Sequence, residues 1–156
     1  MTSNSVEVGK AIPSFTSETT SGRFDLAEQR GKKVVLYFYP KDSTPGCTTE
    51  TQEFGDHSPA FAAAGAVVFG ISRDTIKSHL KFKEALGIPF DLISDPDEAL
   101  CALFGVMKQK NMYGKQVRGI ERSTFVLDAH GVLVREWRGV KIPGHVAEVL
   151  AQVASM

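Results

Sequence analysis

A mixed α/β fold is predicted by three features of the sequence. Three short apolar runs, Val34–Tyr39, Val67–Ser72 and Phe90–Ile93, are separated by longer segments with helical periodicity. Two further strand-like runs, Ile120–Leu127 and Val132–Arg138, flank the turn signal Asp128-Ala129-His130-Gly131. An amphipathic run, Val146–Val153, follows Pro143-Gly144 and closes the chain. Strand–helix alternation followed by a hairpin and a helix is a mixed-sheet pattern. At 156 residues, with no internal repeat, low-complexity segment or linker, the chain reads as one domain, 1–156.

The elements follow in order. Ala11–Phe15 and Gly22–Phe24 flank a polar Ser-Glu-Thr-Thr-Ser turn and predict an N-terminal hairpin. Asp25 can cap a short helical turn, Leu26–Arg30, stopped by Gly31. The unbroken run Val34–Tyr39 predicts a strand buried on both faces. The next helix is expected to open at Thr44-Pro45 and run to about Ala64, burying Phe54, Phe61 and the alanines. A second buried strand, Val67–Ser72, leads to a helix capped by Thr75, carrying Ile76, Leu80, Phe82 and Leu86 inward and ended by Gly87 and Pro89. Phe90–Ile93 is the third strand. Asp95-Pro96 opens a helix over Asp97–Phe104 that Gly105 closes, and Met107–Gly119 reads as a long polar loop or loose hairpin.

Composition excludes several function classes. Eighteen basic residues balance eighteen acidic ones and the isoelectric point is near 6.9, so no footprint for nucleic acid or an anionic membrane is present. The N-terminal MTSNSVEVGK has no apolar signal core, and no segment holds 18 consecutive apolar residues. A cytoplasmic protein is the expectation. Two cysteines without a secretion signal are read as structural or reactive thiols, not as a disulfide scaffold.

One of those thiols sits where chemistry is favoured. Pro45 suits the first helical position after an N-cap Thr44, so Cys47 falls in the first turn of a helix at the end of a central strand. Unpaired N–H groups and the positive helix end then face the sulfur. An ordinary cysteine, with a pKa of about 8.5, is only ~3% thiolate at pH 7, and the thiolate is the nucleophile. Taken alone, a cysteine after a strand is often a small buried hydrophobe, and Thr44 and Pro45 are ordinary capping residues.

Other features favour bland readings. His57, His79, His130 and His145 are scattered without ligand spacing, so no metal site is expected, and no cofactor. Lys108, Lys110, Lys115 and Arg118 make a solvated basic loop, and Gly114-Lys115 lacks the upstream glycines of a phosphate loop. There is no Cys-x-x-Cys, which removes thioredoxin-type dithiol exchange.

Pro40-x-x-x-Thr44-x-x-Cys47, within YPKDSTPGCTTE, resembles the active-site motif of the peroxiredoxins, in their bacterioferritin comigratory protein (PrxQ) branch. SRDTIKSHLKF, LISDPDEALCALFGV, KNMYGKQVRGIERSTFVLD and the terminal helix extend the resemblance over most of the chain. It implies a thioredoxin-like fold with a mixed central sheet and an N-terminal β-hairpin extension. The implied reaction is thiol-dependent reduction of hydrogen peroxide or an alkyl hydroperoxide. Cys47 matches the peroxidatic cysteine, whose thiolate becomes a sulfenic acid. Thr44 matches the threonine that holds peroxide and sulfur, Pro40 the proline that shields the sulfur, and Arg122 the arginine that faces it. Glu50, one helical turn beyond Cys47, is a candidate to orient Arg122.

The chain departs from its relatives at the second sulfur. Positions where this branch carries a resolving cysteine hold Gln52 and Lys83. Cys101 remains, on a helix with Leu100, Leu103 and Phe104, and reads as a buried inert thiol. The expectation is a one-cysteine peroxidase whose sulfenic acid is reduced by thioredoxin, glutaredoxin or a small thiol. A two-cysteine enzyme using Cys101 and a non-enzymatic redox sensor or holdase are the alternatives. With no long exposed apolar stripe, a monomer is expected.

Overall fold

The computed structural model describes residues 6–156, and the first half of the amino-terminal MTSNSVEVGK lies outside them. Seven strands form one mixed sheet in the order β2 (Gly22–Asp25), β1 (Thr16–Thr19), β5 (Asp91–Ser94), β4 (Ala66–Ser72), β3 (Lys33–Phe38), β8 (Ser123–Leu127) and β9 (Leu133–Arg138). The central β3, β4 and β5 are parallel, with Val34 opposite Val67 and Phe38 opposite Ile71. The outer pairs are antiparallel, including β3 with β8 and β8 with β9. A separate hairpin, β6 (Met107–Met112) and β7 (Lys115–Ile120), stands off the sheet.

Alternation along β3 builds two cores. Val34, Leu36 and Phe38 face one side, with Phe104, Phe125, Leu127 and Cys101. Val35, Tyr37 and Tyr39 face the other, with Cys47, Phe54, Phe61, Phe82 and Val149. The second face is covered by α1 (Pro45–Asp56), α2 (Ser58–Ala63), α3 (Ile76–Leu86) and α5 (His145–Ala154), and the first by α4 (Ala99–Phe104). Gly70 on β4 lets Tyr37 lie across the sheet, because a Cβ there would come within 2.6 Å of the Tyr37 ring.

Several expectations hold: the three central strands, the Asp25-capped turn (Leu26–Gln29), Thr75 bonding to the Ser78 amide, and left-handed Gly87 and Gly105 after α3 and α4. Others need correction. The helix expected to reach Ala64 breaks at His57, because Pro59 has no N–H to continue the ladder. Phe54 and Phe61 are buried, but Ala60, Ala62 and Ala63 face solvent. Leu80 is 48% exposed, and His79 takes the inward position on α3. Part of the expected N-terminal turn, Ser17–Thr19, is strand, because it pairs with β5 and with β2. The helix expected from Asp97 begins only at Ala99, since the Asp95 carboxylate accepts the Leu100 and Cys101 amides from outside it.

The Met107–Gly119 segment is a regular hairpin. Its two turn residues, Tyr113 and Gly114, both have positive φ, as a two-residue turn requires. Ile120 belongs to that hairpin and not to the strand expected at Ile120–Leu127. Glu121 and Arg122 form an irregular joint between the hairpin and the main sheet.

Candidate active site

The parallel strands end at one edge of the sheet, and the loop leaving β3 there carries the motif. Tyr39 continues the strand through a bond from its amide to the Ile71 carbonyl (3.0 Å), and half-buried Pro40 turns the chain out. Ser43 adopts a left-handed conformation (φ 65°). Thr44 then enters α1 with extended backbone and Pro45 behind it. Its hydroxyl does not cap the helix as expected; it donates to the Lys41 carbonyl at 2.8 Å and leaves its oxygen lone pairs free to accept.

Cys47, third residue of α1, is 1% exposed. Arg122 reaches it from the joint before β8, one residue beyond the Phe38–Ser123 pair. One guanidinium nitrogen, Nη2, lies 3.5 Å from Cys47 Sγ, and Nη1 lies 2.6 Å from Glu50 Oε1. Glu50 sits one turn beyond Cys47, is fully buried, and leaves Oε2 without a hydrogen-bond partner among the described residues. The structure therefore brings together Cys47, Glu50 and Arg122, with Pro40 and Thr44 on the loop that leads into α1.

The electrostatics follow from burial and charge. Loss of solvent raises the Glu50 carboxyl to about 7, against the opposing pull of Arg122. Burial eases the proton off Arg122, but the charges of Glu50 and Cys47 outweigh it and hold the guanidinium above its ordinary range. The guanidinium is thus a fixed positive charge beside the sulfur. Gly46 keeps that approach open: a Cβ there would sit 3.3 Å from both Arg122 Nη2 and Ile142 Cδ1.

Cys101 lies in the core on the opposite face of the sheet from Cys47. Burial, and after it the neighbouring Asp95 carboxylate, pushes its thiol far above the ordinary range. Gln52 is exposed, and Lys83 bonds to Asp91 at 2.7 Å. Sequence reasoning missed two groups near the site. His145, first residue of α5, stacks edge-on against Phe54 and Trp137 and bonds to Thr124; its burial lowers its basicity. Asp42, Asp74 and His79, scattered in sequence, place side-chain polar atoms within 4.8 Å of one another behind the loop. The signal for His79 was a histidine on the inward stripe of α3, three residues before Phe82.

With this geometry, the AhpC/TSA family model matches residues 8–136. The chain belongs to the AhpC/TSA family. It is a peroxiredoxin, a thiol peroxidase, with a thioredoxin-like fold. This peroxiredoxin is 56% identical over 126 residues to Peroxiredoxin Bcp of Xanthomonas campestris, covering 81% of this chain and 79% of that one. It is 45% identical over 152 residues to Peroxiredoxin Bcp of Bacillus subtilis, covering 97% of each chain. The solved Xanthomonas campestris bacterioferritin comigratory protein, described for alkyl peroxide reduction activity, superposes with a TM-score of 0.88 at 47% identity, over 96% of this chain and 98% of that one. Among the described residues no helix is long and apolar enough to cross a membrane.

Proposed function

We propose that this peroxiredoxin reduces hydrogen peroxide and alkyl hydroperoxides through Cys47 alone, and that an external thiol completes the cycle. The observation that carries the reading is the Arg122 guanidinium 3.5 Å from Cys47 Sγ. The thiolate attacks the terminal oxygen of R–O–O–H, and the O–O bond breaks. A sulfenic acid, Cys47–S–O–H, forms, and the departing alkoxide takes up a proton to leave as alcohol. Thr44 accepts the hydrogen of the peroxide O–H, and Arg122 steadies the charge that moves from sulfur to the leaving oxygen. Pro40 keeps water from the sulfur. Glu50 orients the guanidinium fork.

The placement of the remaining sulfur supports the one-cysteine form. A first outside thiol displaces water from the sulfenic acid to give a mixed disulfide, and a second releases Cys47 and the oxidised thiol. The solved relatives include variants of Xanthomonas campestris peroxiredoxin Q with one or another cysteine changed to serine. The spacing between those two positions, laid from Cys47, ends on Lys83, which has no sulfur. Pairing with Cys101 would require the two sulfurs to meet from opposite faces of the sheet, with Cα atoms within about 7 Å. A thioredoxin, a glutaredoxin or a small thiol fits the reducing role, and the reading includes a monomeric protein of the cytoplasm.

The test is steady-state peroxide consumption with each class of thiol donor, for the native protein, Cys47→Ser and Cys101→Ser. Cys47→Ser is expected to fall to background and Cys101→Ser to stay near the native rate. Activity of Cys47→Ser within tenfold of native overturns the assignment.

A further inference from the structure

Behind the Cys47 loop lies a buried polar network that the peroxidase chemistry does not use. The Asp42 side chain is 2% exposed and that of His79 is fully buried. Asp42 accepts from Tyr39 Oη at Oδ1 (2.6 Å) and from Ser78 Oγ at Oδ2 (2.8 Å), and Oδ2 shares a hydrogen bond with His79 Nδ1 at 2.7 Å. The other nitrogen of His79, Nε2, lies 2.9 Å from the Ile93 carbonyl, which can only accept, so it carries a hydrogen. The Asp42 amide donates to Asp74 Oδ2 at 2.9 Å, an oxygen that Ser72 Oγ also bonds. Ser94 Oγ holds the Asp74 carbonyl at 2.6 Å. One residue of the loop is thus tied to the ends of β3, β4 and β5 and to the first turn of α3.

A metal ion does not fit this arrangement. The His79–Asp42 separation of 2.7 Å is that of a shared hydrogen. The Asp42 oxygens already accept from two hydroxyl groups besides the ring. What needs explaining is why so many bonds converge on Asp42. The next residue, Ser43, holds φ 65°, a region that a residue with a side chain keeps only when its surroundings over-determine it. The residue after that is Thr44, and three further on is Cys47.

We infer that Asp42, braced by Tyr39, Ser78 and His79, is a positioning residue of the peroxidase site: it pins the left-handed Ser43 turn and so fixes Thr44 and Cys47 against Arg122. Besides the Thr44 hydroxyl on the Lys41 carbonyl, which spans Ser43 at 2.8 Å, the two sides are held apart, Asp42 by the strand ends and Cys47 by α1. Without the anchor, Ser43 relaxes toward ordinary backbone and the start of α1 shifts relative to Arg122, which β8 carries independently. Misplacement of about 1 Å at a reacting centre costs up to ~100-fold in rate.

The inference rests on Cys47 as the attacking sulfur and is tested on the full-length protein with Asp42→Asn, Ser43→Gly and the double variant. The readouts are kcat/KM for peroxide and kcat/KM for the reducing thiol, with near-ultraviolet circular dichroism to verify folding. Asp42→Asn is expected to lower kcat/KM for peroxide about 10- to 100-fold and to leave that for the thiol unchanged or raised. Glycine takes positive φ without a side-chain penalty. Ser43→Gly alone should therefore stay near native, and in the Asp42→Asn background it should recover most of the lost peroxide rate. If Asp42→Asn does not fold, His79→Gln with and without Ser43→Gly makes the same comparison. A folded Asp42→Asn within twofold of native overturns the inference. So does an equal fall in both kcat/KM values without rescue by glycine, which would mark a purely structural role. Activity in Cys47→Ser would instead strike the reading of the site itself.

Discussion

Cys47 and Cys101 are each the third residue of a helix that follows a parallel strand, α1 after β3 and α4 after β5, and both are buried. Their surroundings are opposite. Cys47 faces the Arg122 guanidinium, and Thr44 leaves the first turn of α1 uncapped by its side chain. At Cys101 the Asp95 carboxylate occupies the same place, accepting the amides of Leu100 and Cys101 at 3.0 and 2.8 Å and opposing ionisation of the thiol. Placement at a helix start therefore does not by itself make a nucleophile. At Cys101 burial and, after it, the adjacent carboxylate oppose ionisation, and a helix start can hold a carboxylate as readily as a thiolate.

Removing the cation at Cys47 should have the largest effect. Arg122→Met is expected to lower kcat/KM for peroxide by about two to three powers of ten, the usual range for losing a preorganised charge. Arg122→Lys, which keeps the charge but loses the fork to Glu50, should fall between the two. Stopped-flow measurement of Cys47 oxidation reads this directly, and a rate within threefold of native in Arg122→Met would break the comparison.

Glu50 supplies a smaller, pH-dependent contrast. Its carboxyl is raised from 4.5 to about 7 by burial. A raised acid is no burden below its unfolded pKa and becomes a full burden above its folded pKa, so stability is lost as pH rises from about 4.5 to 7. The size is roughly 3 kcal/mol from that shift. Urea unfolding of the native protein and Glu50→Gln across this window should show the variant gaining relative to native as pH rises. A difference that stays flat would mean that Glu50 is ionised throughout and stabilised by Arg122.

The smallest effect is expected on the Cys101 side. Asp95→Ala removes two amide bonds from the start of α4 and should cost about 1–2 kcal/mol, seen as a fall in Tm of about 3–6 °C. Alkylation of Cys101 should remain slow, because burial is the first cause of its inertness and Asp95 only the second. Fast alkylation in that variant would reverse this ranking.

How much of this was legible in the sequence depended on distance along the chain. The strand, loop and first turn around Cys47 are contiguous, so runs of β-branched and aromatic residues and a Thr-Pro start placed the thiol. Glu50, one turn away, was within reach of helical spacing. Arg122 lies 75 residues from Cys47, and only the resemblance to a family brought it forward, since periodicity says nothing about a side chain in an irregular joint. Hydrophobicity alone ranks Leu80 as core ahead of His79, the reverse of their burial. A histidine is buried only when both nitrogens find partners, and those partners, Asp42 and the Ile93 carbonyl, come from two other elements. The break at His57 was local and readable from Pro59. The Asp95 bonds to α4 were not, because they depend on the path of the chain between Ser94 and Ala99.

The central claim is that one sulfur reacts and the other does not. The most direct measurement is the intact mass and peptide map of the native protein after one equivalent of peroxide, quenched without added thiol. The account predicts a gain of one oxygen on the Cys47 peptide, trappable by a sulfenic-acid reagent, with Cys101 still a free thiol. Loss of two hydrogens and a linked Cys47–Cys101 peptide would contradict it.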